Sequence, residues 1–395
     1  MEKNLTTGSV WKNVVYFSLP FLLSYFLQSL YGMADLFIVG QFNTTNSITA
    51  VSIGSQVMHM LTVMIVGLAM GATVNIGQAI GSGDHEKVAQ NIGNTIILFM
   101  AVAIAATILL VVLVRPSVSV MSTPTEKVEG TIRYLTICFI GIPFITAYNI
   151  ISSIFRGLGD SKSQMYFVAV ACVANIALDY LFIGCLDLGP AGAALGTTIS
   201  QTISVIVALI TIVKRNTAIS LSKDCFRPRR DVMKPILQVG VPVSFQDGFI
   251  QIAFILITVI ANRRGLDDAA AVGIVEKVIG FLFLVPSTML STVSTLAAQN
   301  IGAGRHDRAR QTLRYAVSIC VCFGLVVAIA IQFAADGVVG LFDGTPAVVL
   351  LADSICEDMF GTAYLQEFTS VSAGIFARMG NRESLSFITH SRFCL

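Results

Sequence analysis

Gly77-Gln-Ala-Ile-Gly-Ser-Gly-Asp-His85 returns 221 residues later as Ala298-Gln-Asn-Ile-Gly-Ala-Gly-Arg-His306. Four further pairs keep the same order at nearly the same offset. Ser18-Leu-Pro20 matches Gly240-Val-Pro242, Ala50-Val51 matches Ala271-Val272, and Thr123-Pro124 matches Thr345-Pro346. Ile154-Phe-Arg-Gly-Leu-Gly-Asp160 is echoed by Ile375-Phe-Ala-Arg-Met-Gly-Asn381. One such match is within chance; five in order mark a duplicated unit.

The chain between these anchors is apolar. Of 395 residues, 55% are hydrophobic and 12% charged, about half the roughly 25% charged content of soluble domains. Mean hydropathy is +0.79. So few charged groups cannot cover the surface of a soluble protein of this size. A soluble enzyme, a nucleic-acid binder and a disordered regulator are therefore excluded, and an all-α polytopic membrane protein remains.

A membrane span needs about 20 mostly apolar residues. Such runs fall at 14–40, 48–80, 90–114, 134–155, 164–186, 190–213, 236–262, 269–300, 313–335 and 349–376. The last is interrupted by Glu357, Asp358 and Glu367. The first is too long for a signal-peptide core and reads as a retained span. Residues 1–215 make a six-helix bundle, 216–234 a basic linker, and 235–395 an incomplete bundle of about four spans. The repeat contains an even number of spans, so both copies face the same way, as in several secondary transporters. Copy two ends two spans short of copy one, and a frameshifted or truncated reading frame is the expected reason.

Orientation follows the Lys and Arg balance between the two sides. The N-terminal side, with the linker residues Lys223, Arg227, Arg229, Arg230 and Lys234, holds 19 of the 25 cations. The opposite side holds five: Arg115, Lys127, Arg133, Arg263 and Arg264. The N-terminus is expected in the cytoplasm, in a multi-pass chain of the plasma (inner) membrane.

Ionisable groups within spans are costly and mark function. Asp35 in the first span and Asp179 in the fifth lie at comparable depth in the outer half of the bilayer. Asn175 stands one turn from Asp179 on the same face. Tyr134 opens the fourth span and Thr197 lies about two turns into the sixth. Two carboxylates together in low dielectric share protons and titrate as a pair. Such a group can take H⁺ or Na⁺ from outside; the alternative is a polar knot that only fixes packing. In copy two, Gln246, Asp247, Gln251 and Glu276 are candidates for a substrate cavity, or for polar groups that satisfy one another. Pro20, below Asp35, is a candidate bending point. Gly67-Leu-Ala-Met-Gly71 fits either a close helix contact or a lipid face. Gly157-Leu-Gly-Asp160 has the form of a protease motif, but it sits at a cytoplasmic span end, the wrong depth for that chemistry. No spacing of His or Cys suggests a metal site.

Several stretches resemble the MATE (multidrug and toxic compound extrusion) family, in its DinF-type bacterial branch. They are Leu30-Tyr-Gly-Met-Ala-Asp35, Gly77-Gln-Ala-Ile-Gly-Ser-Gly83, Phe155-Arg-Gly-Leu-Gly-Asp160, Asn175-Ile-Ala-Leu-Asp179, Gly192-Ala-Ala-Leu-Gly-Thr197 and Gln299-Asn-Ile-Gly-Ala-Gly304. The resemblance covers about Val14 to Ile301 and continues more weakly to Asn381. It implies twelve helices in two six-helix bundles about a central cavity. It also implies export of amphipathic, often cationic compounds against an H⁺ or Na⁺ gradient. By the same resemblance Asp35, Asn175, Asp179, Tyr134 and Thr197 form the cation site, and Pro20 is the bending point of the first helix. No cofactor beyond the coupling ion is implied, and no enzyme activity. The expected partners are small organic cations and the lipid bilayer, with no nucleic acid and a monomeric chain. Two other readings are a lipid-linked saccharide flippase of the same superfamily, which should line its cavity with more basic residues, and a truncated remnant that does not transport.

Overall fold

The computed structural model describes residues 5–42, 45–120, 128–214 and 222–340, with no strand among them. Ten α-helices follow in order: α1 (Val10–Phe42), α2 (Thr45–Gly81), α3 (His85–Val120), α4 (Val128–Gly157), α5 (Ser161–Asp179), α6 (Gly189–Lys214), α7 (Arg230–Arg264), α8 (Leu266–Leu282), α9 (Leu284–Gly302) and α10 (His306–Gly340). Among the described residues nine stretches are long and apolar enough to cross a membrane. They coincide with the first nine expected spans; the tenth lies outside the described residues. The protein is a multi-pass, all-helical membrane protein.

Two expected spans are not single regular helices. The span expected at 269–300 breaks at Phe283 into α8 and α9. Pro286 is the cause: it has no N–H for the Leu282 carbonyl and its ring crowds that group, so the helix restarts just before it. The span expected at 164–186 is α-helical only to Asp179. A π-turn, Tyr180–Cys185, completes it, and the Leu186 N–H returns to the Leu181 carbonyl at 3.0 Å.

The repeated motif now has a physical meaning. Gly83 and Gly304 both take positive φ, +71° and +72°, a conformation that strains side-chain-bearing residues. Each ends its helix the same way. The Gly83 N–H bonds the Ile80 carbonyl and the Asp84 N–H the Ala79 carbonyl; Gly304 and Arg305 do the same to Ile301 and Asn300. This is a Schellman stop. Gly159 repeats it after α4, and Asp160 then caps α5 through the Ser163 N–H at 3.0 Å. The Gly157–Asp160 motif is thus a helix–turn–helix joint.

The other glycine of each motif packs the copies together. A Cβ on Gly81 would strike the Gln299 carbonyl, and one on Gly302 would strike the Gln78 carbonyl. Gln78 and Gln299 are themselves repeat partners, so α2 and α9 cross about a local two-fold relation at their C-terminal ends. Gly67 and Gly71 lie against Ser244, Gly240 and Ile236 of α7, so this pair makes a close helix contact. The N-terminal half of α1 joins the same seam. Val14, Phe17 and Phe21 pack with Val293 and Leu296 of α9 and Leu313 of α10, whereas Ile38 and Val39 pack within copy one. The copies thus meet along α2, α7, α9 and the N-terminal half of α1.

The segments ahead of α1 and α7 each dock on the other copy. Arg305 donates to the Thr6 carbonyl at 2.6 Å, and Arg308 to the carbonyls of Gly8 at 2.8 Å and Thr7 at 3.1 Å. The linker lies on α3 of copy one. There Asn94 donates to the Cys225 carbonyl at 3.3 Å and accepts from the Arg229 N–H at 2.8 Å.

Candidate functional site

Four helices of copy one bring their polar residues to one place. Asp35 of α1 is 8% exposed and Asp179, the last residue of α5, is fully buried. The two carboxyls lie within hydrogen-bonding reach of each other, with Thr197 of α6 beside Asp35. Asn175 is 1% exposed. It and Asp179 reach across to α6 at Gly196, where a Cβ would land on Asp179 Oδ1. Gly196 is the space that the carboxylate occupies. Tyr134 of α4 stands near enough to both acids to feel their charge, and its ring lies over Gly54 of α2. All five residues expected of the cation site are therefore neighbours.

Hydrogen bonding there is incomplete. Asp35 Oδ1, both oxygens of Asp179, both polar atoms of the Asn175 amide and Thr197 Oγ1 are buried without a hydrogen-bond partner. Two ionised carboxylates can only accept, so neither satisfies the other. Buried polar groups left unpaired are costly. Two buried carboxyls side by side can take up a proton or a hard cation, which oxygen ligands suit. The π-turn begins immediately after Asp179, and such turns concentrate at functional positions in helices. Phe42 and Tyr180 meet edge to face above it, 6.0 Å between centroids.

The copy-two candidates are arranged differently. Asp247 of α7 points at Gly67 of α2, so it lies at the contact between copies. Gln246 and Gln251 are part-buried on the same helix. Glu276 lies on α8, and its side chain is outside the described set. Pro20 is buried within a continuous α1, and Ser24 donates to its carbonyl at 2.7 Å. Such back-bonding from a hydroxyl favours a bend.

A polar file below the acids is absent from the sequence-derived set. Tyr31 neighbours Asp35, Tyr148 of α4 neighbours Tyr31 and Gln28, and Tyr25 bonds to Ser291 of α9 at 2.8 Å. Residues 25, 28, 31 and 35 share one face of α1 at helical spacing; that periodicity was the available signal. Arg156, counted by sequence among the cytoplasmic loop cations, is 3% exposed in the last turn of α4. It donates to Ser291 Oγ at 3.2 Å.

Comparison with known proteins shows the same duplication. One family description, MatE, matches residues 20–181 and again 242–395, starting points 222 residues apart. The chain belongs to the MatE family. Among relatives of this MatE protein, a probable multidrug resistance protein of Bacillus subtilis, YoeA, is 28% identical over 85% of this chain and 74% of its own length. The multidrug export protein MepA of Staphylococcus aureus is 24% identical over 94% of this chain and 82% of its own. A solved structure described as MATE in the bent conformation superposes with a TM-score of 0.86 at 24% identity, covering 96% of this chain and 85% of that one. That likeness places the MatE chain in the two-repeat helical fold expected from its sequence.

Proposed function

We propose that this protein is a cation-coupled exporter of amphipathic, often cationic compounds, working by alternating access in the plasma membrane with its N-terminus in the cytoplasm. Asp35 and Asp179 carry the coupling site with Asn175, Tyr134 and Thr197, and the coupling ion is H⁺ or Na⁺. One observation carries this reading: two carboxylates lie buried together with most of their oxygens unpartnered. A proton or Na⁺ from outside relieves that arrangement, and release of a compound can be exchanged for the uptake. Moving one charge across 100 mV is worth about 2.3 kcal/mol, enough to drive roughly fiftyfold accumulation of a neutral partner. The names of the multidrug relatives agree with this substrate class. In the proposed cycle 1–215 and 235–395 move as two bundles joined by the 216–234 linker, Pro20 supplies the bend, and Gln246, Asp247, Gln251 and Glu276 face the compound. The working unit is a monomer.

The test is efflux of a fluorescent organic cation from energised cells. Asp35→Asn and Asp179→Asn should each retain dye that the unmodified protein exports. Export undiminished in both variants, at equal membrane abundance, would refute the assigned coupling site.

A further inference from the structure

Arg156 is a buried cation with no carboxylate beside it among the described residues. An arginine near the cytoplasmic end of a span ordinarily reaches out to water and headgroups. This one turns the other way. Side chains lean toward the N-terminus of their helix, and α4 has its N-terminus outside, so Arg156 points up into the membrane. Its guanidinium meets Ser291 Oγ at 3.2 Å and the Tyr25 hydroxyl, and Nε has no hydrogen-bond partner. Among the described residues no carboxylate pairs with it. An arginine keeps its proton even there, and two neutral hydroxyls do not neutralise it. The energetic cost calls for a purpose other than packing.

Its position supplies one. The polar face of α1 descends from Asp35 through Tyr31 and Gln28 to Tyr25, ten residues and about 15 Å below the acids. Such a line of hydroxyl and amide groups is a track for water and protons. Arg156 and Ser291 stand at its lower end. Beneath them the seam is sealed by Phe17, Phe21, Val293 and Leu296, and by the Gln299 amide on the Gly157 carbonyl at 3.2 Å. A fixed positive charge in a narrow passage excludes protons and cations.

We propose that Arg156 is the electrostatic plug of the cytoplasmic seal. It stops protons and small cations from running down the α1 face into the cell while the acids are open to the outside. Tyr25 and Ser291 are positioning residues that hold the guanidinium across the seam between the copies.

The inference rests on the transporter reading for its purpose, and its test keeps the two apart. Purified full-length protein is reconstituted into liposomes that contain a pH-sensitive dye. An inside-negative potassium diffusion potential is applied with no drug present, and the rate of internal acidification is read. Arg156→Gln is expected to acidify about tenfold faster than the unmodified protein, whereas Arg156→Lys stays within about twofold of it. Arg156→Met, apolar and of similar length, replaces the Gln variant should that one not fold. A Tyr25→Phe/Ser291→Ala double variant keeps the charge and loses its anchors; it leaks less than Arg156→Gln. The proposal is overturned if both neutral variants hold the gradient as well as the unmodified protein, or if the double variant leaks as fast as Arg156→Gln. Dye export by the unmodified protein is measured separately; its failure would count against the transporter reading and leave the leak comparison intact.

Discussion

Where α1 carries Asp35, its repeat partner α7 carries Ile257, and where α1 carries Tyr25, α7 carries Asp247. Ile257 is 41% exposed while Asp35 is buried against Asp179. The two copies nevertheless end their helices with the same Schellman glycines and cross at reciprocal positions. What the duplication kept is the framework of stops and close contacts. Among the residues it let diverge are Asp35 and Tyr25 of the first helix. The acids belong to copy one, and the buried arginine joins copy one to copy two through Ser291. Symmetry therefore marks scaffold in this protein, and departure from symmetry marks chemistry.

That contrast can be broken by experiment. The largest effect should come from the acids. Asp35→Asn or Asp179→Asn lowers dye efflux by roughly tenfold or more, since a carboxylate at that depth has no substitute; Ile257→Asn leaves efflux within about twofold. Equal losses at both positions would mean that copy two carries a coupling function of its own. Next come the reciprocal glycines. Gly81→Leu and Gly302→Leu each overpack a helix crossing, at about 1–3 kcal/mol apiece, and should lower the detergent melting temperature by similar amounts. A large difference between them would show that the crossing is not two-fold in energy. Asn94→Ala removes both hydrogen bonds that hold the linker and costs about 1–2 kcal/mol; protease cleavage between α6 and α7 should quicken while dye efflux persists. The smallest effect is expected of Gln246→Ala and Gln251→Ala, which change the apparent KM for dye by about twofold or less with efflux capacity kept.

Much of this was legible in the residues. Apolar runs gave nine of the described spans because nothing else sustains 20 such residues. Asp35 and Asp179 stood out because charge in oil is rare, and Asn175 because it stands one turn from Asp179 on the same face. Thr197 and Tyr134 followed from depth. The break at Phe283 and the π-turn after Asp179 did not follow, since both keep the apolar pattern and alter only the backbone register. Arg156 was misplaced for a related reason. Sequence reports that an arginine lies within two residues of a helix end, but not which way its side chain leans, and the usual choice is water. Gly196 was visible as one more small residue in Gly192-Ala-Ala-Leu-Gly196; that a carboxylate fills the space of its missing side chain is a fact of packing alone.

The crossing of Gly81 over Gln299 and of Gly302 over Gln78 has a mechanical corollary. Each helix meets its neighbour there through bare main chain, so no interlocked teeth must be lifted when one slides or swivels on the other. Friction is lowest where the two halves touch most closely, and a small turn at this crossing is magnified along the 30-odd residues of rigid rod that lead away from it.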